Sequence, residues 1–535
     1  MNSEHYDVII IGTGAGGGTL AKVLAPSGKK ILVLERGTFL PKEKANWDSE
    51  AIYAKNRYRT SEIWFDKNDK PVRPFTHYYV GGNTKFYGSA LYRLRERDFE
   101  KVIHKGGISP EWSLKYPDFA PYYDRAEKLY EVHGKRGLDP TEPPSNEDYP
   151  YPPISHEPYM ERIHYALKDR GLHPAYQPLG IKLNEVNRLF SACVRCDTCD
   201  GFACLIDAKA DADVIGVRPA MTYPNVTLVT EAKALRLHTS PSGREVTGVE
   251  TEVAGERQIF SGDIVVAACG ALNSAILLLR SANDKHPNGL ANSSDLVGRN
   301  YMMHKLASIV ALTVRPKSIV YSKTLSVNDF YWGDKDFDYP MGNVQSLGTI
   351  TPDRAAAGGP SFLPRPFYKA IADRAIGWFL MTEDLPDPNN RVYVKGEKIY
   401  LEYTNNNDEA YKRLIKRWIE VLRSIEPRND IGSLSTYVTT KIAALKDVGH
   451  QCGTCRFGED PKTSVLDLNC RTHDVDNLYV VDGGFFPSSA AVNPTLTIIA
   501  NAIRVGEHLL ERLQSDLPAQ MELASRPVSN QGTTC

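Results

Sequence analysis

Short runs of aliphatic and β-branched residues punctuate the chain at 6–11, 30–34, 226–229, 263–268 and 478–481. The first stops at Gly12, the second at Glu35 and the last at Asp482. Runs this short predict strands, and those at 6–11 and 478–481 read as buried ones. Strand rhythm also returns at 248–253. Helical spacing is predicted for 19–24, 274–279, 122–130 after a first-turn Pro121, 160–170 and 411–425. Near the C-terminus Ile498, Ile499, Ala502, Val505, Leu509 and Leu513 keep one helical face, with Asn493 as N-cap and Pro494 at N1. Residues 90–94 form an apolar segment, helical or extended. Residues 38–77 read as surface loops, and 140–158, with seven prolines, as an exposed irregular linker. The stretch 306–449 differs. Candidate strands at 308–314 and 391–403, a Gly/Pro-rich loop at 355–366 and the helix from Tyr411 predict a second domain, an antiparallel sheet under a helical cover. The loop is a candidate lid.

The first of these runs leads into Gly12-Thr13-Gly14-Ala15-Gly16-Gly17, which fits G-x-G-x-x-G between a strand and a helix. Gly12 suits the tight turn, Gly14 lets backbone approach a pyrophosphate, and Gly17 lets helix and strand pack closely. The helix N-terminus is oriented for phosphate. Glu35, eighteen positions after Gly17, ends the next strand and is placed to accept hydrogen bonds from a ribose. An ordinary Gly-rich βα turn is the alternative, weakened by the complete strand–turn–helix–strand–acid context. A second glycine-rich turn runs from Gly81 and Gly82 to Gly88.

A length of 535 residues predicts about two to four domains. With 42% hydrophobic and 24% charged residues the composition is that of a globular enzyme, and a net charge of −1 offers no field for nucleic acid or an anionic membrane. The basic cluster at 412–417 reads as the solvated face of its helix. No segment has the uniform apolarity of a membrane span, since 264–279 is interrupted by Cys269, Gly270, Asn273 and Ser274. No basic signal region precedes the first strand, so a cytoplasmic location is expected. Nine cysteines are too few for a disulfide scaffold, and their odd number fits a reducing compartment. Four of them, Cys193, Cys196, Cys199 and Cys204, form C-x2-C-x2-C-x4-C. That pattern misses the ferredoxin spacing by one residue and lacks its proline. Reduced, structural or partly paired thiols are the first reading, an iron–sulfur cluster the second, zinc or redox chemistry the third.

In order and spacing these pieces resemble the glucose–methanol–choline (GMC) flavin oxidoreductases. The likeness rests on residues 12–35, Gly81-Gly82, the run 270–275, His450-Gln451-Cys452-Gly453-Thr454, Val481-Asp482-Gly483 and Asn493-Pro494, and extends to about Leu513. It implies an α/β fold, with a Rossmann-like FAD domain interrupted by a substrate domain on an antiparallel sheet. The FAD domain is expected at 1–55, 78–100, 205–305 and 450–515. The substrate domain and connecting segments take 56–77, 101–204 and 306–449, and 516–535 is expected to be a disordered tail. Cofactor contacts are implied for Gly12, Gly14, Ala15 and Gly17, for Glu35 and Arg36, and for Gly81, Gly82, Thr84, Tyr87 and Gly88. They are implied also for Ala232, Gly270, Asp482, Gly483, Asn493, Pro494 and Thr495.

The resemblance further implies that His450 and Asn493 face the flavin ring. Imidazole suits removal of a hydroxyl proton while hydride leaves the carbon, and an amide can hold the same oxygen without taking the proton. Many relatives carry Asn where Tyr87 stands. Some sugar oxidases attach FAD through a histidine after the paired glycines; Lys85-Phe86-Tyr87 has none, so non-covalent FAD is expected, with His77 upstream as the exception. The cysteine cluster is similar to that of family dehydrogenases carrying an iron–sulfur centre. The implied activity is oxidation of a CH–OH group on a sugar or glycoside, with oxygen, quinone or a redox protein as acceptor. The alternatives are a dehydrogenase of another alcohol, an FAD-containing lyase and a non-catalytic flavin protein.

Overall fold

The computed structural model describes residues 4–313, 316–317, 319–357, 359–360, 362–425, 434–442 and 445–513. Two sheets organise it. The first begins with β1 (His5–Ile11), α1 (Ala15–Leu24) and β2 (Ile31–Leu34). Strand Val226–Val229 lies parallel to β2, and β2 parallel to β1. On the other side, β1 runs parallel to the end of strand Glu256–Ala267, with Ile9 opposite Val265, and that end pairs in parallel with Leu478–Val480. The start of the same long strand pairs antiparallel with Val246–Val253, which pairs with Ala232–Thr239. Four of the apolar runs become the buried centre of one sheet, with Val8, Ile9, Ile10, Leu32, Leu34, Val266 and Val480 fully enclosed, whereas Val226–Val229 is its half-exposed edge. All five parallel strands end along one edge, where an open α/β sheet binds its ligand.

Helix α1 crosses that edge, and three glycines set how near it comes. A Cβ on Gly16 would stand 1.8 Å from the Val481 carbonyl oxygen, one on Gly17 2.0 Å from that of Gly12, and one on Gly18 2.9 Å from that of Ala212. Behind α1 lies helix Thr495–Arg512, with Gly506 against Val23.

The second sheet is antiparallel throughout, in the order Leu434–Ile442, Lys305–Thr313, Ala375–Thr382, Asn343–Ser346, Leu325–Val327 and Pro174–Tyr176. Helix Asp408–Ser424 covers it through Tyr411, Leu414, Trp418 and Leu422, and the Trp418 ring meets Trp378 edge-on at 4.7 Å.

Several expectations are corrected. The strands expected at 391–403 form a hairpin, Arg391–Lys395 with Lys398–Glu402, that joins Trp64–Phe65 and Pro71–Val72 in a separate four-stranded sheet. Val392 donates to the Gly298 carbonyl, which ties the hairpin to the first sheet's side of the molecule. Pro121 lies inside its helix, which spans Tyr116–Leu129 with Pro117 in the first turn; burial of Tyr116 and Phe119 extends the helix past Pro121 toward the N-terminus. The segment expected as one loop at 355–366 is flanked by helices Pro352–Ala357 and Arg365–Ala372. Residues 90–94 are extended, with Ala90 bridging Leu179. The 140–158 segment is irregular, but Pro143 and Ile154 are buried in it. Residues 516–535 lie outside the described residues.

Candidate active site

A cavity of about 1550 Å³ runs from the parallel edge of the first sheet to the face of the second. It exceeds the ~300–1,000 Å³ of an ordinary small-molecule pocket, so an extended cofactor and a substrate can share it. Except for Gly17 and Gly81, every residue expected to touch cofactor or substrate borders it. Gly17 is turned to the strand it packs on. Gly81, at φ +94°, makes a turn whose amide donates to the Thr13 hydroxyl, and the side chains of Lys85 and Asp213 crowd its open side.

One end of the cavity is a backbone cradle. Gly12, at φ +102°, bends the chain where a Cβ would meet the Ala268 carbonyl oxygen at 2.4 Å. Gly14 caps α1, and nothing stands within 4 Å of where its Cβ would be. The same holds for Gly270 at the start of helix Ala271–Arg280. Two helix N-termini thus meet the cavity at glycine. Glu35 is buried, accepting from the Thr13 hydroxyl at 2.5 Å and from the Gly37 amide at 2.9 Å. Burial raises its carboxyl's pKa against the pull of those bonds. The Thr13 amide is a third donor, at 3.2 Å, and the three accepted bonds leave a lone pair on Oε1 for a ribose hydroxyl. Arg36 pairs with Glu62 at 2.6 Å and covers the Tyr78 ring at 3.6 Å. Asp482 accepts from Ser274 at 2.5 Å, Gly484 at 2.8 Å and Gly270 at 3.0 Å, and burial nonetheless lifts its carboxyl to about 6. Thr84 is held between the Gly81 carbonyl and the Ala212 amide, and the Tyr87 hydroxyl donates to the Ala210 carbonyl, so neither hydroxyl proton is free. His77 also borders the cavity, stacked on Phe86 at 4.1 Å.

The other end is made of side chains. An antiparallel bridge between Met302 and Cys452 sets residue 304 opposite residue 450. The two imidazoles meet edge to face with Nδ1 3.0 Å from Nδ1. His304 Nε2 lies 3.1 Å from the Ser489 carbonyl oxygen, which can only accept. His304 therefore carries its proton on Nε2 and offers bare Nδ1. His450 donates Nδ1–H to it and keeps the lone pair on Nε2. Burial pushes His304 down to about 4. Burial, then His304 and Lys323, push His450 well below the ordinary imidazole value, so both are neutral at pH 7. The carboxylates at the end of strand Ala375–Thr382 fix this pair: Asp384 accepts the Met303 amide at 2.8 Å and Glu383 the Ala490 amide at 3.1 Å. Ala490 sits at φ +54°, a strained backbone beside the site.

Asn493 is not the N-cap expected. Helix Thr495–Arg512 is capped by Pro494, whose ring already holds a helical φ of −80°, and the Asn493 side chain turns elsewhere. Its Oδ1 accepts from Gln345 Nε2 at 2.7 Å. That leaves its NH2 to donate into the cavity. Gln345 is fixed in turn by Asn343 at 2.6 Å, two residues along the same strand. Sequence reasoning missed His304, Gln345, Lys323, Asp200 and Arg354, all on or beside this end. The only local signal was the alternation of Asn343 and Gln345 in an otherwise apolar region.

The cysteine cluster is elsewhere in character. Cys193 Sγ accepts from the Arg195 amide at 3.4 Å, Cys204 Sγ from Ala208 at 3.3 Å, and Cys199 Sγ receives the Tyr321 hydroxyl at 3.9 Å. Burial pushes the Cys193 thiol up to about 12. Among the described residues no three His, Cys, Asp or Glu side chains are placed to hold a metal ion. The placement of the described thiols gives no indication of an iron–sulfur cluster.

GMC oxidoreductase family models match residues 9–306 and 388–502. The chain belongs to the GMC oxidoreductase family. It is an FAD-dependent oxidoreductase, and the open glycine cradle fits that cofactor. It is similar to the 6'''-hydroxyparomomycin C oxidase of Streptomyces lividus, 29% identical over 96% of this chain and 93% of that one. It is similar also to the paromamine 6'-oxidase of Streptomyces fradiae, 28% identical over 93% and 90%. The crystal structure of pyridoxine 4-oxidase from Mesorbium loti shares the fold, with a TM-score of 0.67 at 19% identity over 94% of this chain and 99% of that one. No described helix is long and apolar enough to cross a membrane.

Proposed function

We propose that the enzyme oxidises a CH–OH group of a sugar or glycoside, with His450 Nε2 taking the hydroxyl proton. The observation that carries this is the His304–His450 pair, which leaves a neutral imidazole with its lone pair on the nitrogen that does not face His304. FAD, when bound, supplies the acceptor for the hydride that leaves the carbon. The α1 N-terminus at Gly14 would hold its pyrophosphate and Glu35 its ribose, while Asp482, Gly483 and Thr495 would hold the flavin half. The lack of a histidine at 85–87 supports non-covalent attachment, with His77, on the cavity wall, as the exception. Asn493, its Oδ1 occupied by Gln345, donates NH2 to the substrate oxygen and orients it toward His450. Low proton affinity at His450 keeps the base form available well into mild acid. Two aminoglycoside oxidases by name among the relatives support a sugar-type substrate.

The test is spectroscopic. Holoenzyme is mixed anaerobically with sugars, glycosides and simple alcohols, and the flavin bands are followed. Bleaching by sugars or glycosides is expected. Flavin that stays oxidised with every alcohol would end the proposal.

A further inference from the structure

The chamber beside His450 carries more positive than negative charge. Lys323 and Asp200 form a buried ion pair there, and both border the cavity. A Cβ on Gly88 would collide with both, which puts the pair against the second glycine turn. Each Asp200 oxygen already holds a donor. Its Oδ1 takes the Lys323 ammonium and its Oδ2 the Gly348 amide at 3.0 Å. Burial alone would raise this carboxyl, but Lys323 and then Arg354 overcome it and bring it to about 2.

Arg354 is the surplus cation. It comes from helix Pro352–Ala357, in the wall over the chamber. Its guanidinium lies 5.1 Å from the centre of the Tyr53 ring, and that ring is pinned by a 2.6 Å bond from its hydroxyl to the Asp200 carbonyl. Thr351, three residues earlier, bonds Ser49 at 2.8 Å and fastens the helix to the turn that carries Tyr53. Yet Arg354 Nη1 is buried with no hydrogen-bond partner among the described residues. A buried guanidinium nitrogen without an acceptor is costly unless something supplies one. Ile350, Leu363, Phe367 and Ile371 line the same wall. The chamber thus offers a base and an amide at one end, an apolar side, and a positioned arginine.

We propose that Arg354 binds a carboxylate of the substrate, so that the enzyme's substrate class is an alcohol bearing an acid group. Within the sugars this means an aldonic or uronic acid or an acidic glycoside. This deepens the alcohol-oxidation reading and rests on it for the position of the reacting hydroxyl. The acid supplies the two oxygens that a guanidinium fork matches, and its charge is drawn in by Lys323 and Arg354 together. An amino sugar would bring an ammonium toward two cations and find Asp200 already paired.

Two sets of probes test it on holoenzyme. Gluconate, glucitol and glucamine are one six-carbon chain ending in carboxylate, alcohol or ammonium; the rate of anaerobic flavin bleaching gives kcat/KM for each. Cyclohexanecarboxylate, cyclohexanol and cyclohexylamine, read from the flavin difference spectrum, report binding alone. Gluconate and cyclohexanecarboxylate are expected to exceed their neutral partners by about ten- to hundredfold, the worth of a charge-assisted hydrogen bond. Arg354→Gln should shrink both ratios at least tenfold and Arg354→Lys should restore part of them, each with full flavin content. Ratios near one, a preference for the amines, or loss of FAD from Arg354→Gln would overturn the proposal. Carboxylate binding without oxidation of any alcohol would instead overturn the alcohol-oxidation reading and leave the acid site standing.

Discussion

The two ends of the cavity are built of different material. Around Gly12, Gly14, Gly16 and Gly270 the lining is backbone, and its precision comes from the absence of side chains. Around His450 the lining is side chain, and its precision comes from a chain of hydrogen bonds: Ser489 to His304 to His450, and Asn343 to Gln345 to Asn493. A backbone cradle is specific for phosphate and ribose, which every FAD shares. A side-chain chamber can be altered residue by residue, which is where a substrate is chosen. Damage at one end should therefore cost cofactor and stability, and at the other it should cost rate.

The sharpest separation comes from His450→Ala. Loss of a general base typically costs 10²–10⁴-fold, so kcat/KM in stopped-flow flavin reduction should fall by about that factor. Flavin content and melting temperature should hold. A fall of less than about tenfold would mean that another group takes the proton.

Gly16→Ala is the matching change at the other end. The added methyl meets the Val481 carbonyl oxygen at 1.8 Å, and its three nearest atoms are all backbone of Val481 and Asp482, with no flexible side chain to yield. Overpacking of this kind costs about 1–3 kcal/mol. The variant should melt earlier and retain FAD poorly on dialysis, while the molecules that keep FAD should turn over at a near-normal rate. A stable, flavin-replete Gly16→Ala would remove the claim that close approach of α1 builds the cradle.

The same contrast explains what the sequence disclosed. Most of the cradle is one stretch, residues 6–35, whose requirements fall on neighbouring residues, so local pattern was enough there; Gly270 and Asp482 join it from later strands. The five apolar runs named the parallel strands, though not their order. His304 and Arg354 gave no such signal, because each acquires meaning only from a partner more than a hundred positions away in sequence, His450 for one and Asp200 and Tyr53 for the other. Where local rules misled, tertiary contacts had won. Pro121 reads as a helix start until Tyr116 and Phe119 are buried, and Asn493 reads as a cap until Gln345 takes its oxygen.

His304 tests whether rate at the side-chain end depends on positioning as well as on the base. Phe at 304 removes the acceptor of His450 Nδ1–H, frees the other tautomer, and should lower kcat about tenfold, the value of one hydrogen bond to a reacting group. His304→Gln can still donate to Ser489 and accept from His450, so it should recover most of that loss; a purely space-filling role would favour Phe. The pH dependence follows from the depressed folded-state values of both histidines. Unfolded imidazoles bind protons below about 6.5, whereas folded His304 does so only near 4. Between those values the unfolded chain binds more protons, so stability is full above the upper one and is lost as pH falls toward the lower. Relative to His304→Phe, which has one fewer buried imidazole, the wild type should lose more melting temperature between pH 7 and pH 5. Activity should persist below pH 6.5, with its acid limb shifted upward in the Phe variant as His450 loses a neighbour that depresses it.

The smallest effect is expected at a region that belongs to neither end. If the cluster from Cys193 to Cys204 held iron, removing one thiolate would strip the metal and its broad visible absorbance. The thiols instead have separate partners: an amide at Arg195, an amide at Ala208, a hydroxyl at Tyr321. Cys196 is half-buried and free. Cys196→Ser should change stability by less than about 0.5 kcal/mol, as surface substitutions usually do. The spectrum should be that of flavin alone before and after, and the rate of flavin reduction should match the wild type. Iron found by elemental analysis in the wild type and lost from Cys196→Ser would add a third functional region to the two described, and would make the route out of the flavin, like the site that loads it, a matter of side chains.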